Sequence, residues 1–265
     1  MSSSIWMQCE GDSEIRALRL VAWRVVESQH EVSTRKLVRS AAEQELLEEL
    51  IDRVKPPARV GSRLHYLLFT PFRYPPLRHG SRFGTRHERG IWYGSEQQRT
   101  AFAEVAYYRL LFLEGTQAVL EPVTTALSSF TIRMRSTRGI DLAASPFAVH
   151  TAEISSPVSY AASQAVGLAM RNAQVEMFRF PSARDVQSGV NGGVNVGVNV
   201  AAFTPTVFHQ AAPQHFERWH CIATRSTVEF TRGDLTRTRE THVFERAQFL
   251  VDGKLPAPAA VSSGR

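Results

Sequence analysis

Three side chains of complementary chemistry recur at nearly even intervals in this chain: Arg82 within Gly80-Ser81-Arg82-Phe83-Gly84, Tyr93 within Gly90-Ile91-Trp92-Tyr93-Gly94-Ser95, and Glu104 within Ala101-Phe102-Ala103-Glu104. They supply a guanidinium, an aromatic hydroxyl and a carboxylate. The guanidinium presents a fork of donors that matches phosphate oxygens. A carboxylate stabilises positive charge developing on a sugar. Together the three suit an anionic nucleotide whose sugar becomes cationic during reaction.

The pattern around them predicts a loop, a strand and a helix. Thr70 to Arg89 reads as a proline-rich basic loop and Ile91-Trp92-Tyr93 as a short strand. Ser95 and Gln98 have the spacing of a capping box, which opens a helix running to about Leu113 and ending at Gly115. Ala101, Val105, Tyr108 and Phe112 form its expected buried stripe, with Glu104 on the border of that stripe. From that position alone Glu104 is either a surface residue or a site residue.

Upstream, Leu18 to Val26 reads as a strand. Thr34 to Val54 reads as a helix whose stripe of Leu46, Leu47, Leu50, Ile51 and Val54 serves the core, a dimer or a partner, before Pro56-Pro57 stops it. His65 to Phe69 reads as a strand. Downstream, Thr131 to Met134 is a strand, Ser156-Pro157 opens a helix that ends near Asn172, and Met177 to Phe180 is a strand leading into the turn Pro181 to Asp185. Gly-Val-Asn then recurs at 189, 193 and 197, with valines on the even positions, as a loop feeding a strand that ends at Phe203. Its low complexity reads as an expanded turn. Glu217 to Phe230 is again strand-like, with a turn near Arg225-Ser226.

Composition bounds the function classes. The chain has 265 residues, 43% hydrophobic and 21% charged, enough for a single domain with one substantial core. No apolar run reaches the roughly 20 residues a membrane helix needs, and Met1 to Asp12 lacks a signal-peptide pattern, so the expected location is the cytoplasm. Cys9 and Cys221 are the only cysteines and are expected as free thiols. The formal net charge is +6, and apart from Lys36, Lys55 and Lys254 every basic residue is arginine. Arg73, Arg78, Arg82, Arg86 and Arg89 cluster with His79 and His87, as suits an anionic partner. No helix-turn-helix, zinc-finger or ribonucleoprotein motif supports direct nucleic-acid binding. The dinucleotide-binding, phosphate-loop, zinc-protease and serine-hydrolase motifs are missing. His209, His215, His220 and Cys221 match no metal-site spacing, so no metal is expected.

The ordered set of Ser81-Arg82-Phe83, Gly90-Ile91-Trp92-Tyr93, Ala101-Phe102-Ala103-Glu104, Ser159-Tyr160 with Ser163-Gln164 and Gly167, Phe180-Pro181-Ser182-Ala183-Arg184, and Val200-Ala201-Ala202-Phe203 resembles the RES domain family. The resemblance covers about Arg63 to Phe230, with a weaker echo at Trp23-Arg24-Val25. The arginine, glutamate and serine that name the family match Arg82, Glu104 and Ser182, and its site tyrosine matches Tyr93. The Gly-Val-Asn expansion departs from the family pattern.

The resemblance implies an α+β domain with an ADP-ribosyltransferase-like core of two small mixed or antiparallel sheets and flanking helices. The expected layout is a disordered leader at 1–14, an N-terminal strand and helix packing on the core at 15–60, a RES-type catalytic domain at 61–232, an extension at 233–252 and a disordered tail at 253–265. It further implies a bacterial toxin that consumes NAD+ as substrate and is covered by a helix-turn-helix antitoxin. NAD+ would be cleaved at the nicotinamide–ribose bond with water or phosphate, or ADP-ribose would pass to a protein. A non-catalytic anion- or nucleic-acid-binding module is the alternative from another class, and a homodimer is also open. In the enzyme, Glu104 would stabilise the cationic ribose, and Arg82 the pyrophosphate or ribose edge. The Tyr93 ring would stack on nicotinamide while its hydroxyl bonds the ribose. Ser182 would place a donor near a phosphate or ribose oxygen, with Arg184, Arg73 and Arg24 as further NAD+ contacts.

Overall fold

The computed structural model of the protein describes residues 4–28, 40–54, 63–74, 76, 80–118, 122–188, 194–233 and 239–257. Helix α1 (Ile5–Gln8) leads into strand β1 (Arg16–Glu27); α2 (Ala41–Val54) and α3 (Tyr66–Arg73) precede β2 (Trp92–Ser95). After α4 (Gln98–Glu114) and β3 (Val123–Asp141), α5 (Thr151–Ile154) and α6 (Ala161–Asn172) lead to β4 (Met177–Ser188) and β5 (Val194–Ala202). A meander of β6 (Gln214–Ala223), β7 (Thr227–Arg232) and β8 (Glu240–Glu245) completes the α+β chain. No helix among the described residues is long and apolar enough to cross a membrane.

All eight strands join one hydrogen-bonded sheet in the order β1-β2-β5-β4-β3-β6-β7-β8, where two separate sheets were expected. Strand β1 also pairs with β3 along most of its length, from Arg16 opposite Gly139 to Glu27 opposite Leu127. The pairings β1-β2-β5-β4-β3-β1 therefore close on themselves, and β6 to β8 extend from the outer side of β3. This arrangement depends on the 19 residues of β3, which pair with β1 from Leu127 to Gly139, with β6 from Val123 to Thr131 and, in parallel, with β4 at Gly139 to Asp141. A strand of that length twists enough to change neighbours along its course. The sequence reading placed only four of those residues in a strand.

Three apolar clusters hold the elements. Phe102, Ala106, Tyr107 and Leu110 of α4 pack on Trp219, Phe230, Phe244 and Phe249, with the Phe102 ring stacked on Phe230 at 4.6 Å. The second cluster joins Phe83, Phe178 and Phe180 to Val166 and Met170 of α6 and to Trp6 and Cys9 near α1. Trp92, Phe130, Met134, Phe208 and Leu68 form the third.

Several expectations change. Residues 4–14 include helix α1 and send Trp6 and Cys9 into the core, so this part of the leader is ordered by burying an indole and a thiol. His65 to Phe69 is not a strand. His65 Nδ1 accepts the Leu67 N–H and starts α3, a helix that contains Pro71. The helix opened by Ser156-Pro157 begins instead at Ala161. Leu46 and Leu50 of α2 are exposed, so these two members of its stripe do not enter the core. Within the extension at 233–252, Phe244 and Phe249 belong to the core and pack against α4; Leu255, from the expected tail, joins them. Residues 34–39, 189–193 and 258–265 lie outside the described residues.

Candidate active site

Helix α4 is apolar on two faces, and that decides where Glu104 points. The core takes Phe102, Ala103, Ala106, Tyr107, Leu110 and Leu113. Of the stripe expected to be buried, Ala101 is buried and Val105 packs partly against the core, yet both, with Tyr108 and Glu104, also line a cleft of about 320 Å³. Phe112, the last member, is 59% exposed and Tyr108 51%. Apolar content could not distinguish a core face from a cleft wall, so the expectation holds for Ala101 and in part for Val105 and fails for Tyr108 and Phe112. The capping box does not form. Gln97 caps the helix without a side-chain bond, because Ser95 Oγ donates to Asn199 Oδ1 at 2.7 Å and Gln98 Nε2 bonds Ser129 Oγ and Glu217.

Glu104 sits at the bottom of this wall with both bonded donors on the same oxygen. Its Oε1 accepts from Ser182 Oγ at 2.8 Å and from Asn199 Nδ2 at 2.5 Å. Ser182, on β4, is only 2% exposed, and its oxygen accepts the backbone N–H groups of Arg184 and Asp185. The serine therefore lies behind the carboxylate and does not line the cleft.

Arg82 is presented by a tight turn in which Ser81 and Gly84 bond one another through their backbones. Gln164 of α6 donates its amide to the carbonyls of Ser81 and Gly84. Gly167, one turn on, lets that helix approach, since a Cβ there would collide with the Phe83 carbonyl. Arg82 Nη1 donates to the Ser156 carbonyl at 2.8 Å, and the guanidinium lies over Tyr160 at 4.9 Å. The Tyr93 hydroxyl accepts from Phe83 N at 3.2 Å and is 2.9 Å from Ser81 Oγ, so it braces the same turn. Burial pushes the Tyr93 phenol up to about 12, which keeps it protonated.

The remaining arginines divide. Arg184 lines the cleft, lies 3.6 Å from the centre of the Tyr107 ring and donates to the Pro157 carbonyl. Arg24 enters from β1 and rests on Trp92 at 5.2 Å. Its Nη1 is buried without a hydrogen-bond partner, and burial lowers the guanidinium to about 10. A buried donor without a partner is uncommon, and one that lines a cleft makes Arg24 a candidate anion contact. Arg73, at the end of α3, lies over Tyr74 and is not among the cleft-lining residues.

The cleft thus gathers Arg24, Arg82, Tyr93, Glu104 and Arg184, with Ser182 behind and Arg73 outside. Asn199, Ser95, Ser81, Tyr108 and Tyr160 complete it and were not singled out as site residues. Tyr160 had a signal in the Ser159-Tyr160 pattern. Asn199 was hidden inside the third Gly-Val-Asn copy, where repetition masked a single cleft-lining side chain. Among the described residues no three His, Cys, Asp or Glu side chains converge. Cys221 is instead a core residue of β6, its thiol pushed up to about 11 by burial.

Comparison with known proteins adds a family to this geometry. The family model described as RES domain matches residues 56–222. No curated protein matches the chain. One solved structure that resembles it is the crystal structure of the M. tuberculosis MbcT–MbcA toxin–antitoxin complex, with 14% identity, a TM-score of 0.43, and coverage of 81% of this chain and 91% of that chain.

Proposed function

This chain belongs to the RES domain family, whose match spans more than half of its length, and from that premise we propose that it is a toxin that cleaves NAD+ at the nicotinamide–ribose bond. One observation carries the reading: a carboxylate, Glu104, held by neutral donors in a cleft that also receives Arg24, Arg82 and Arg184. A dinucleotide brings both a pyrophosphate for the arginines and a ribose that becomes cationic as neutral nicotinamide departs.

In the reaction the bond between the ribose anomeric carbon and the nicotinamide nitrogen breaks, its electron pair leaves with nicotinamide, and the ribose becomes oxocarbenium-like. The Glu104 carboxylate faces the developing positive charge, which is where fixed charge in a water-poor site contributes most. Water then adds to the anomeric carbon and loses a proton, giving ADP-ribose; phosphate in its place gives the phosphorylated sugar. The arginines hold the pyrophosphate through charge-assisted hydrogen bonds. Tyr93 contributes its ring to the cleft, while its hydroxyl, committed to the Arg82 turn, acts as a brace.

The same reading makes the partner a helix-turn-helix antitoxin that covers the cleft in the cytoplasm. The exposed Tyr108, which lines the cleft, and Phe112, one turn further along α4, support a covering partner, because large exposed aromatic side chains favour burial. The test is incubation of the purified, partner-free protein with NAD+, with chromatography for nicotinamide and mass spectrometry of added lysate. Free nicotinamide without protein-bound ADP-ribose supports the hydrolase or phosphorylase reading. ADP-ribose on a protein assigns a transferase, and intact NAD+ refutes the function.

A further inference from the structure

Asn199 completes a relay that runs from Ser95 through Glu104 to Ser182. Ser95 Oγ donates to Asn199 Oδ1 at 2.7 Å, and Asn199 Nδ2 donates to Glu104 Oε1 at 2.5 Å. Ser95 and Asn199 are 2% and 4% exposed. The alternative amide orientation would turn Oδ1 toward a carboxylate oxygen and leave two acceptors face to face, so only one orientation satisfies both neighbours. From the other side, the Ser182 oxygen already accepts two backbone N–H groups, and its single proton is left for Glu104. Two locked donors therefore converge on Oε1. Oε2 has no hydrogen-bond partner among the described residues.

We propose that Asn199 is a positioning residue that pins Glu104 through Oε1 and so reserves Oε2 for the ligand, with Ser95 setting the orientation of the amide. The inference rests on the proposed NAD+ cleavage only for its kinetic readout. It assigns a role to the third copy of the Gly-Val-Asn repeat. Gly197 gives β5 the room to approach α4, and Asn199, two residues on and on the same face, delivers the amide.

Four variants test it. Asn199→Ala should lower kcat on the order of tenfold to a hundredfold while KM changes little, since a carboxylate displaced by about 1 Å loses that much. Ser95→Ala should cost less, and Ser95→Ala with Asn199→Ala should be no worse than Asn199→Ala alone, because both act through one amide. Independent, multiplying losses would overturn the relay.

Asn199→Asp places a second carboxylate against Oε1, and two such groups cannot both ionise at that distance. Around Glu104 the other charged or titratable groups are Arg24, Arg82, Tyr93, Tyr160 and Arg184, with Tyr107 and Tyr108 on its own helix; all are retained in this variant. The acidic limb of the activity profile should move to higher pH. The two carboxyl carbon resonances of the pair, told apart by the loss of one in Glu104→Gln, should respond together to pH, because the proton is shared by the pair. An unmoved resonance would refute the clamp. That readout needs no turnover, so it stands even if the parent leaves NAD+ intact, a result that would refute the proposed function alone.

Discussion

The Ser182 hydroxyl donates to Glu104 Oε1 over 2.8 Å while its oxygen accepts the N–H groups of Arg184 and Asp185. The serine thus joins β4 to the carboxylate of α4 and is shielded from the cleft by the group it holds. Ser182→Ala should reduce nicotinamide release on the order of tenfold or more, with little change in KM. It should also cost roughly 1–3 kcal/mol of stability, because two buried N–H groups lose their acceptor. Steady-state kinetics and denaturant unfolding check both. A large rise in KM at unchanged kcat would indicate that Ser182 touches the ligand directly.

Arg24 should bind at the expense of stability. Burial lowers its pKa from the ordinary 12.5 to about 10, so between those values the folded state binds fewer protons than the unfolded chain. Its contribution to stability therefore increases as pH rises through that window, and below it the buried charge is a standing cost. Arg24→Met, which keeps the volume, should raise the melting temperature and raise KM for NAD+ about tenfold or more. In the parent, affinity for NAD+ should fall as pH passes about 10. Reduced stability with unchanged KM would place Arg24 outside the binding machinery.

Gly197 is a point of close approach between β5 and α4. A Cβ there would overlap the Thr100 hydroxyl and sit 2.6 Å from Asp185 Oδ2, and those two side chains bond each other at 2.7 Å in a buried position. Gly197→Ala should destabilise by roughly 1–3 kcal/mol and slow turnover through displacement of Asn199. Unfolding curves beside nicotinamide release check this; an unchanged protein would show that β5 can withdraw without effect.

Cys221 provides a pH test of the core on β6. Burial raises its pKa from 9.0 to about 11, so its contribution to stability is complete below pH 9 and is lost as pH rises from 9 toward 11. Replacing Cys221 by Ala should flatten the fall in melting temperature across that interval. Cys9 and Cys221, 4% and 1% exposed, should resist alkylation until the chain unfolds.

Local features of the site were legible because each residue has a short-range signature. The glycines around Arg82, the aromatic strand with Tyr93 and the helical spacing of Glu104 all sit within a few residues of the groups they position. Long-range pairing was not legible. Ser95 and Gln98 have capping-box spacing, yet each side chain goes to a partner about 30 residues or more away. The apolar run in α3 is too short for periodicity to separate helix from strand. The closure of the sheet through β1 and β3 depends on partners a hundred residues apart, and no local pattern encodes it.

Nicotinamide release from NAD+ by the partner-free protein, measured beside Glu104→Gln, tests the central claim most directly. The substitution keeps the shape of the side chain and removes its charge, so a loss of roughly a hundredfold or more is expected if the carboxylate stabilises the cationic ribose. Equal release by the two proteins would contradict that role for Glu104 and move the chemistry to another group in the cleft.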